Sequence, residues 1–205
     1  MKKLFLASSF IKTSKYLPDF AGDELYGNTV TFIPTATIPE KIHGNVSFGK
    51  RALQKLGFIV DELEISTTSK DEISNKLRKN DAIYIAGGNT FFLLQELKRT
   101  GTDRILIEQI QKGKLYIGES AGAMIAAPNI EYVKELDDCR KAPALMTFSA
   151  LNLVDFYPLP HYKNHPYRKR VKKILTQYHT EIKLCPIGNH QAILIREDDM
   201  EITPI

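Results

Sequence analysis

Short apolar runs alternate with longer amphipathic stretches along this chain, and this alternation is the feature that most constrains the fold. Two of the runs, residues 83–85 and 115–117, are apolar at every position, as in strands covered on both faces. The strands that we predict from these runs are Lys3–Ala7, Thr29–Pro34, Phe58–Leu63, Ala82–Ala86, Leu115–Gly118, Leu153–Tyr157, Ile182–Pro186 and Ala192–Arg196.

Helical patterns lie between these strands. Ile42–Leu56 repeats apolar residues at helical spacing and ends before a glycine, whereas Ser69–Lys79 opens with a capping-box sequence. Two more helices are expected at Phe91–Arg99 and Ile105–Gln111. Strands that alternate with helices predict an α/β fold, a three-layer αβα arrangement with a mainly parallel sheet, in one domain of 205 residues. Ligands of such sheets bind beyond the carboxyl ends of the strands.

Composition excludes several classes of protein. The chain is 43% hydrophobic and 25% charged, close to soluble globular domains, so it is neither disordered nor fibrous. No apolar run approaches the ~20 residues of a membrane-spanning helix. The two cysteines form no CxxC pair, which favours a reducing compartment. The apolar start is followed at once by Lys12 and Lys15, so we expect a buried first strand and a cytoplasmic protein, not a secreted one.

The basic residues include one dense cluster, at residues 163–173. The net charge of +4 is too small to require a polyanionic partner. A cluster of this kind is found in nucleic-acid patches and targeting signals, but we interpret it as a solvated helix face. A third interpretation is that one of its arginines meets a substrate carboxylate. We expect no nucleic-acid and no membrane partner, and either a monomer or a homodimer.

A G-x-S-x-G motif follows the predicted strand Leu115–Gly118 directly, as Gly118-Glu119-Ser120-Ala121-Gly122. A helix-like segment follows the motif. The motif presents a nucleophile when it forms the tight turn between a strand and a helix, as predicted here. The turn lifts Ser120 above the sheet, with its hydroxyl at the positive end of the helix. The alternative is a turn of small residues that packs a helix on the sheet, and the context favours the nucleophile.

A serine hydroxyl becomes a good nucleophile only when a base removes its proton, which here requires a histidine. Of the five histidines, His161 directly follows the predicted strand Leu153–Tyr157 and would stand at the same sheet edge as Ser120. The prolines before it stiffen its loop. The residues alone do not select the acid that orients the imidazole, and the candidates are Glu131, Glu135, Asp137, Asp138 and Asp155.

The oxyanion of acyl transfer needs N–H donors. The N–H of Ala121 is one natural donor, and the turn Ala86-Gly87-Gly88-Asn89-Thr90 offers a second, because its glycines let the backbone approach a ligand. Such a turn alone suits a phosphate equally well, but beside the serine turn it is better explained as half of an oxyanion hole.

Signatures of cofactor chemistry are weak in the sequence. His161 and His165 are four residues apart, but Pro160 and Pro166 argue against one helix face. The chain has no HExxH, no paired CxxC, no Rossmann fingerprint and no P-loop. We therefore predict neither a metal nor another cofactor.

Three segments, residues 86–91, 118–123 and 160–162, together resemble peptidase family S51, the dipeptidase E (aspartyl dipeptidase) and cyanophycinase group. Their order and spacing match over most of the chain, and a lone G-x-S-x-G motif would not bring the other two segments with it. The resemblance implies a class I glutamine-amidotransferase-like α/β fold and a serine-type peptidase whose partner is a small peptide.

The resemblance also implies roles for individual residues. It makes Ser120 the nucleophile, His161 the base and Glu135 the acid, with Asp137 or Asp138 as the alternatives. The implied oxyanion donors are Gly88 and Ala121, and the expected substrate contacts are Arg170 and Asn89, with Arg168 close by. In dipeptidase E, an arginine after the histidine serves an N-terminal aspartate. The rival hypotheses are an esterase or amidase with the same machinery, and a non-catalytic ligand- or RNA-binding protein of this fold.

Overall fold

A computed structural model describes residues 2–22, 25–40 and 44–204. The strands are β1 (Lys3–Ala7), β2 (Thr29–Ile33), β3 (Ile59–Glu62), β4 (Ala82–Ile85), β5 (Leu115–Glu119), β6 (Tyr157–Leu159), β7 (Leu184–Pro186), β8 (Ala192–Arg196) and β9 (Asp199–Ile202). The helices are α1 (Phe10–Thr13), α2 (Leu17–Ala21), α3 (Gly44–Lys55), α4 (Lys70–Lys79), α5 (Thr90–Thr100), α6 (Thr102–Gln111), α7 (Ala121–Met124) and α8 (Arg168–Tyr178).

The main sheet has the strand order β3-β2-β4-β5-β1-β8-β9. The first five of these strands are parallel, β8 is antiparallel to β1, and β9 is antiparallel to β8. The order places β5 between β4 and β1, so the carboxyl ends of these three strands lie side by side. Helices flank the sheet, and the predicted fold class, α/β with a mainly parallel sheet, is confirmed.

Both faces of the sheet are buried, each under its own hydrophobic cluster. Leu4 and Leu6 of β1 belong to one cluster, whereas Phe5 and Ala7 belong to the other. Alternate side chains of a strand point to opposite faces, so a strand covered on both sides is apolar throughout. This explains the continuous apolar runs that the sequence shows at β1, β4 and β5.

The predicted strand at Leu153–Tyr157 is wrong in its position. The N–H groups of residues 151–154 donate to the carbonyls of residues 125–127, just after α7, so this segment does not enter a ladder. The strand is instead Tyr157–Leu159, which pairs in parallel with β7 in a separate small sheet. An apolar run predicts burial, and here a packed loop satisfies the burial.

The helices agree with the sequence patterns over most of their length. The predicted helix Ile42–Leu56 is observed from Gly44, and its first two positions lie outside the described residues. The basic cluster forms most of α8, whose Val171 and Ile174 are buried while the basic side chains of this helix are exposed. Within the described part of the chain, no helix combines the length and the apolar character needed to span a bilayer.

The contact of α7 with β4 depends on Gly122, because a Cβ at this position would overlap the backbone of Ile85. We predict that Gly122→Ala lowers the free energy of unfolding by about 3 kcal/mol, since a rigid backbone cannot move aside. Gly101→Ala is the matched control: Gly101 has a φ of 76° but no atom within 4 Å of its added Cβ, so only backbone strain of about 1 kcal/mol is expected. Urea unfolding measures both, and equal losses would contradict the prediction.

Candidate active site

Ser120 lies where β5 ends and α7 begins, in a strained backbone conformation. Its φ is 49° and its ψ is −102°, which a residue other than glycine adopts only when the surroundings enforce it. Its N–H donates to the carbonyl of Ala7 on the neighbouring strand β1, at 2.9 Å. The main sheet therefore fixes the turn from one side, and the serine is presented at the carboxyl edge, where the sequence placed it.

The side chains of Ser120 and His161 are in hydrogen-bond contact, with Oγ 2.9 Å from Nε2. The imidazole stacks on the ring of Tyr167, with centroids 4.5 Å apart. Burial lowers the pKa of His161 below its usual value, and the hydrogen bond that Nδ1 donates to Asn189 opposes this shift. The lowered pKa favours the neutral ring, which is the form that can accept a proton.

The second ring nitrogen of His161 contacts Asn189, whose Oδ1 lies 2.8 Å from Nδ1. Asn189 belongs to the turn before β8, and its own N–H donates to Oδ1 of Asn164 at 2.8 Å. Sequence reasoning missed Asn189. The signal that could have found it is strand placement: β8 is antiparallel to β1, with Ala192 opposite Ala7, so the turn before β8 meets the edge where β1 ends.

Glu135 is not the partner of His161 in this structure, and this corrects the role that the resemblance implied. Its carboxylate pairs with Lys173 of α8 at 2.7 Å, because the short turn 131–135 packs on that helix. The other carboxylates that we considered are also engaged elsewhere: Glu131 with Lys134, Asp137 with Thr90, Asp138 with Arg140 and Asp155 with Lys183. A neutral amide therefore occupies the position expected for an acid.

The turn after β4, which includes Gly87 and Gly88, lies against Ser120. A Cβ on Gly87 would be 3.3 Å from Cβ of Ser120. Gly88 has a φ of 143°, and a Cβ there would overlap the carbonyl of Ala36, so this position accepts only glycine. Among the described residues, no backbone carbonyl accepts from the N–H of Gly88 or of Ala121. Neither N–H group is therefore used by the described backbone, although Ala121 itself is fully buried.

The structure gives Asn89 a role in the helix instead of a substrate contact. Its side chain is 1% exposed and caps α5: Oδ1 accepts from the N–H of Phe92 at 2.9 Å, while Nδ2 donates to the carbonyl of Asp138 at 3.1 Å. The predicted contact between this side chain and a substrate is therefore wrong. An Asn before an apolar helix is a common N-cap, and this signal was present in the sequence.

Arg170 lies in the first turn of α8, three residues after Tyr167, whose ring stacks on His161. Its Nη1 donates to the carbonyl of Leu136 at 3.3 Å. Burial raises the pKa of Tyr167, and the positive charge of Arg170 opposes this rise. The side chains of Arg168 and Arg170 are both exposed at the start of this helix. In the described ranges, no three His, Cys, Asp or Glu side chains come together as a metal site.

Comparison with known proteins identifies the family. The sequence model described as Peptidase family S51 matches residues 4–203. The chain belongs to peptidase family S51. This membership supports a peptidase function and confirms the resemblance carried by the three motif segments.

Relatives of this S51 chain carry peptidase names. An uncharacterized peptidase of Listeria innocua is 53% identical over 200 residues, which cover 98% of this chain and 95% of that protein. A peptidase E of Shewanella denitrificans is 32% identical over 134 residues, which cover 65% of this chain and 54% of that protein.

Solved structures agree with the fold of the S51 chain. The crystal structure of a "Putative Peptidase E Protein" from Listeria monocytogenes superposes with a TM-score of 0.96 at 52% identity, over 100% of this chain and 99% of that one. A peptidase from an acI-B1 actinobacterium has a TM-score of 0.70 at 18% identity, over 99% and 87% of the two chains, and shares the fold.

We predict that Asn189→Asp raises the pKa of His161, because a carboxylate at Nδ1 stabilises the imidazolium whereas an amide does not. The measurement is an NMR titration of the His161 ring, with the exposed histidines as internal references for sample pH. An unchanged or lower pKa in the variant would show that Asn189 does not face Nδ1 in solution.

Asp137 provides a prediction about stability and pH. Its Oδ2 accepts from N and Oγ1 of Thr90, at 2.8 and 2.6 Å, and burial raises its pKa to about 6. The unfolded value is near 4, so the fold favours the protonated form. The protonated carboxyl group therefore adds to the free energy of unfolding in full below pH ~4, and this stabilisation is lost as the pH rises through 6.

Asp137→Asn removes this titration but keeps an oxygen for Thr90. We compare the free energies of unfolding of the variant and the native chain at each pH. We expect the difference, variant minus native, to increase by up to about 3 kcal/mol between pH 4 and 7, because only the native chain loses stability as Asp137 ionises. Urea unfolding across this range measures the difference, and parallel stability curves for the two proteins would refute the prediction.

Proposed function

We propose that this S51 protein is a serine-type peptidase that hydrolyses small peptides with Ser120 as nucleophile and His161 as general base. The observation that carries the proposal is the 2.9 Å contact between Oγ and Nε2, formed by a serine whose strained turn lies beside two available N–H donors. A buried, neutral imidazole next to a hydroxyl is the arrangement that acyl transfer by serine requires.

In the proposed mechanism, Nε2 of His161 takes the proton of Ser120 as Oγ attacks the peptide carbonyl carbon. The oxyanion accepts from the N–H groups of Gly88 and Ala121, whose dipoles are already in place. The imidazolium then protonates the leaving amine, and the C–N bond breaks. A water molecule activated by the same histidine hydrolyses the acyl-serine and restores both side chains.

Asn189 orients the imidazole in this mechanism through its oxygen at Nδ1. The arrangement is of the Ser-His-Asn kind, and an asparagine serves the same position in the Cys-His-Asn proteases. An amide holds the ring but does not neutralise the imidazolium charge, so more of the transition-state stabilisation depends on the oxyanion donors.

The finer proposal is that the preferred substrates are dipeptides with an N-terminal aspartate. A carboxylate that enters a cleft loses hydration, and a planar guanidinium compensates for this loss better than any other side chain. Arg170 is the candidate, because it follows by three residues the tyrosine that stacks on the proposed catalytic histidine, at the start of α8. The proposal includes a small peptide as the binding partner and the cytoplasm as the location.

The first test uses Ser120→Ala with a fluorophosphonate probe and a dipeptide library. We expect the native protein to be labelled and to release amino acids, and the variant to lose labelling and at least about a thousandfold in turnover. Ser74→Ala, on α4, is the control. Variant activity above about a tenth of the native value would contradict the nucleophile assignment, and labelling without peptide turnover would favour an esterase.

The second test compares turnover of Asp-Leu and Leu-Leu. We expect Arg170→Lys to lower this ratio about 30-fold or more, because a lost charged contact in a desolvated site costs ~2–5 kcal/mol. Arg168→Lys, on the same helix, is the matched control and should leave the ratio unchanged. An unchanged ratio in both variants would remove the aspartyl preference and leave the peptidase proposal intact.

A further inference from the structure

Ser8 contacts both the catalytic loop and the turn that carries Asn189. It directly follows β1, and it is 1% exposed. Its Oγ accepts from the backbone N–H of His161 at 2.9 Å and donates to Oδ1 of Asn189 at 3.0 Å. The mechanism above does not use Ser8, and the motifs of the sequence do not include it.

The direction of these hydrogen bonds follows from chemistry. The backbone N–H of His161 can only donate, so the hydroxyl oxygen of Ser8 is the acceptor in that bond. The single hydroxyl proton of Ser8 is then free to donate, and in the structure its acceptor is Oδ1 of Asn189 at 3.0 Å, whereas Nδ1 of His161 lies farther from the same hydroxyl, at 3.5 Å. Among the described residues, no group accepts a hydrogen bond from Nδ2 of Asn189. The hydrogen bonds that Oδ1 accepts therefore determine the orientation of the amide.

The same oxygen faces the imidazole, and this decides where the ring carries its proton. Oδ1 of Asn189 is 2.8 Å from Nδ1 of His161 and accepts a hydrogen bond there, so Nδ1 bears the proton. Nε2 is then unprotonated and can accept from Ser120. With the amide turned over, Nδ2 would donate to Nδ1, and the proton of the ring would move to Nε2. That tautomer cannot take a proton from the serine.

We propose that Ser8 is a positioning residue that fixes the orientation of the Asn189 amide and, through it, the productive tautomer of His161. The catalytic consequence rests on the proposed function, whereas the tautomer itself does not. An amide needs such a residue because its two ends differ: one donates and the other accepts. A carboxylate has two acceptor oxygens and needs no orientation, so the requirement is specific to asparagine at this position.

The experiment measures the ring tautomer of His161 by ¹⁵N NMR, together with kcat and KM, in Ser8→Ala. We expect the Nδ1–H form to fall from more than about nine-tenths of the population to about half. We also expect kcat to fall about threefold to tenfold without a change in KM. Ser8→Thr keeps the hydroxyl and should restore both values, and Ser9→Ala is the control on the same loop.

A second arm separates orientation from a general structural role. In an Asn189→Asp background, Ser8→Ala should leave the tautomer unchanged and lower kcat less than twofold, because the carboxylate has no wrong orientation. Equal losses in both backgrounds, or an unchanged tautomer in Ser8→Ala alone, would overturn the inference. A tautomer shift in a protein that cleaves no peptide would uphold the inference and refute the proposed function.

Discussion

The parallel pairing of β5 with β4 on one side and β1 on the other is the constraint on which the rest of the structure depends. Because three neighbouring strands end at one edge, the chain turns there three times within a small space. One turn presents Ser120, the turn after β4 offers the N–H of Gly88, and the turn after β1 contributes Ser8. The backbone ladder thus positions the hydroxyl of Ser120, the proposed oxyanion donor and the hydroxyl of Ser8 by the same set of hydrogen bonds.

Most of the fold could be predicted, because the signals that specify it are local. A strand buried on both faces must be apolar throughout, and a helix on the sheet must show an apolar stripe, so β1, β4, β5 and the helices between them are readable from the residues alone. The motif around Ser120 has meaning only after a strand and before a helix, and both were readable as well. The loop at residues 151–154 could not be predicted, because an apolar run indicates that a segment is buried but not that it pairs with another strand.

The contact of His161 with Ser120 was predictable, whereas the side chains that contact the other ring nitrogen of His161 were not, for a physical reason. His161 follows a strand and lies between prolines and aromatic residues, which is a local signal even though the strand begins later than predicted. Asn189 and Ser8 meet only because β8 is antiparallel to β1, and nothing in the residues near either position shows that pairing. Glu135 was implied by its distance along the chain from Ser120, but the packing of its turn on α8 determines its partner, Lys173.

The contact between Ser8 and Asn189 joins residues that are 181 positions apart, and this separation has a consequence for how the protein matures. During synthesis, the first strand emerges long before β8 does, and the edge of β1 that faces away from β5 is completed only when β8 arrives. Contacts of such sequence separation form late, because the entropy of closing the intervening chain must be overcome first. A nascent chain therefore carries the segments of Ser120 and His161 before the turn with Asn189, which contacts His161, is in place. The topology makes the surroundings of His161 depend on the last strands of the sheet.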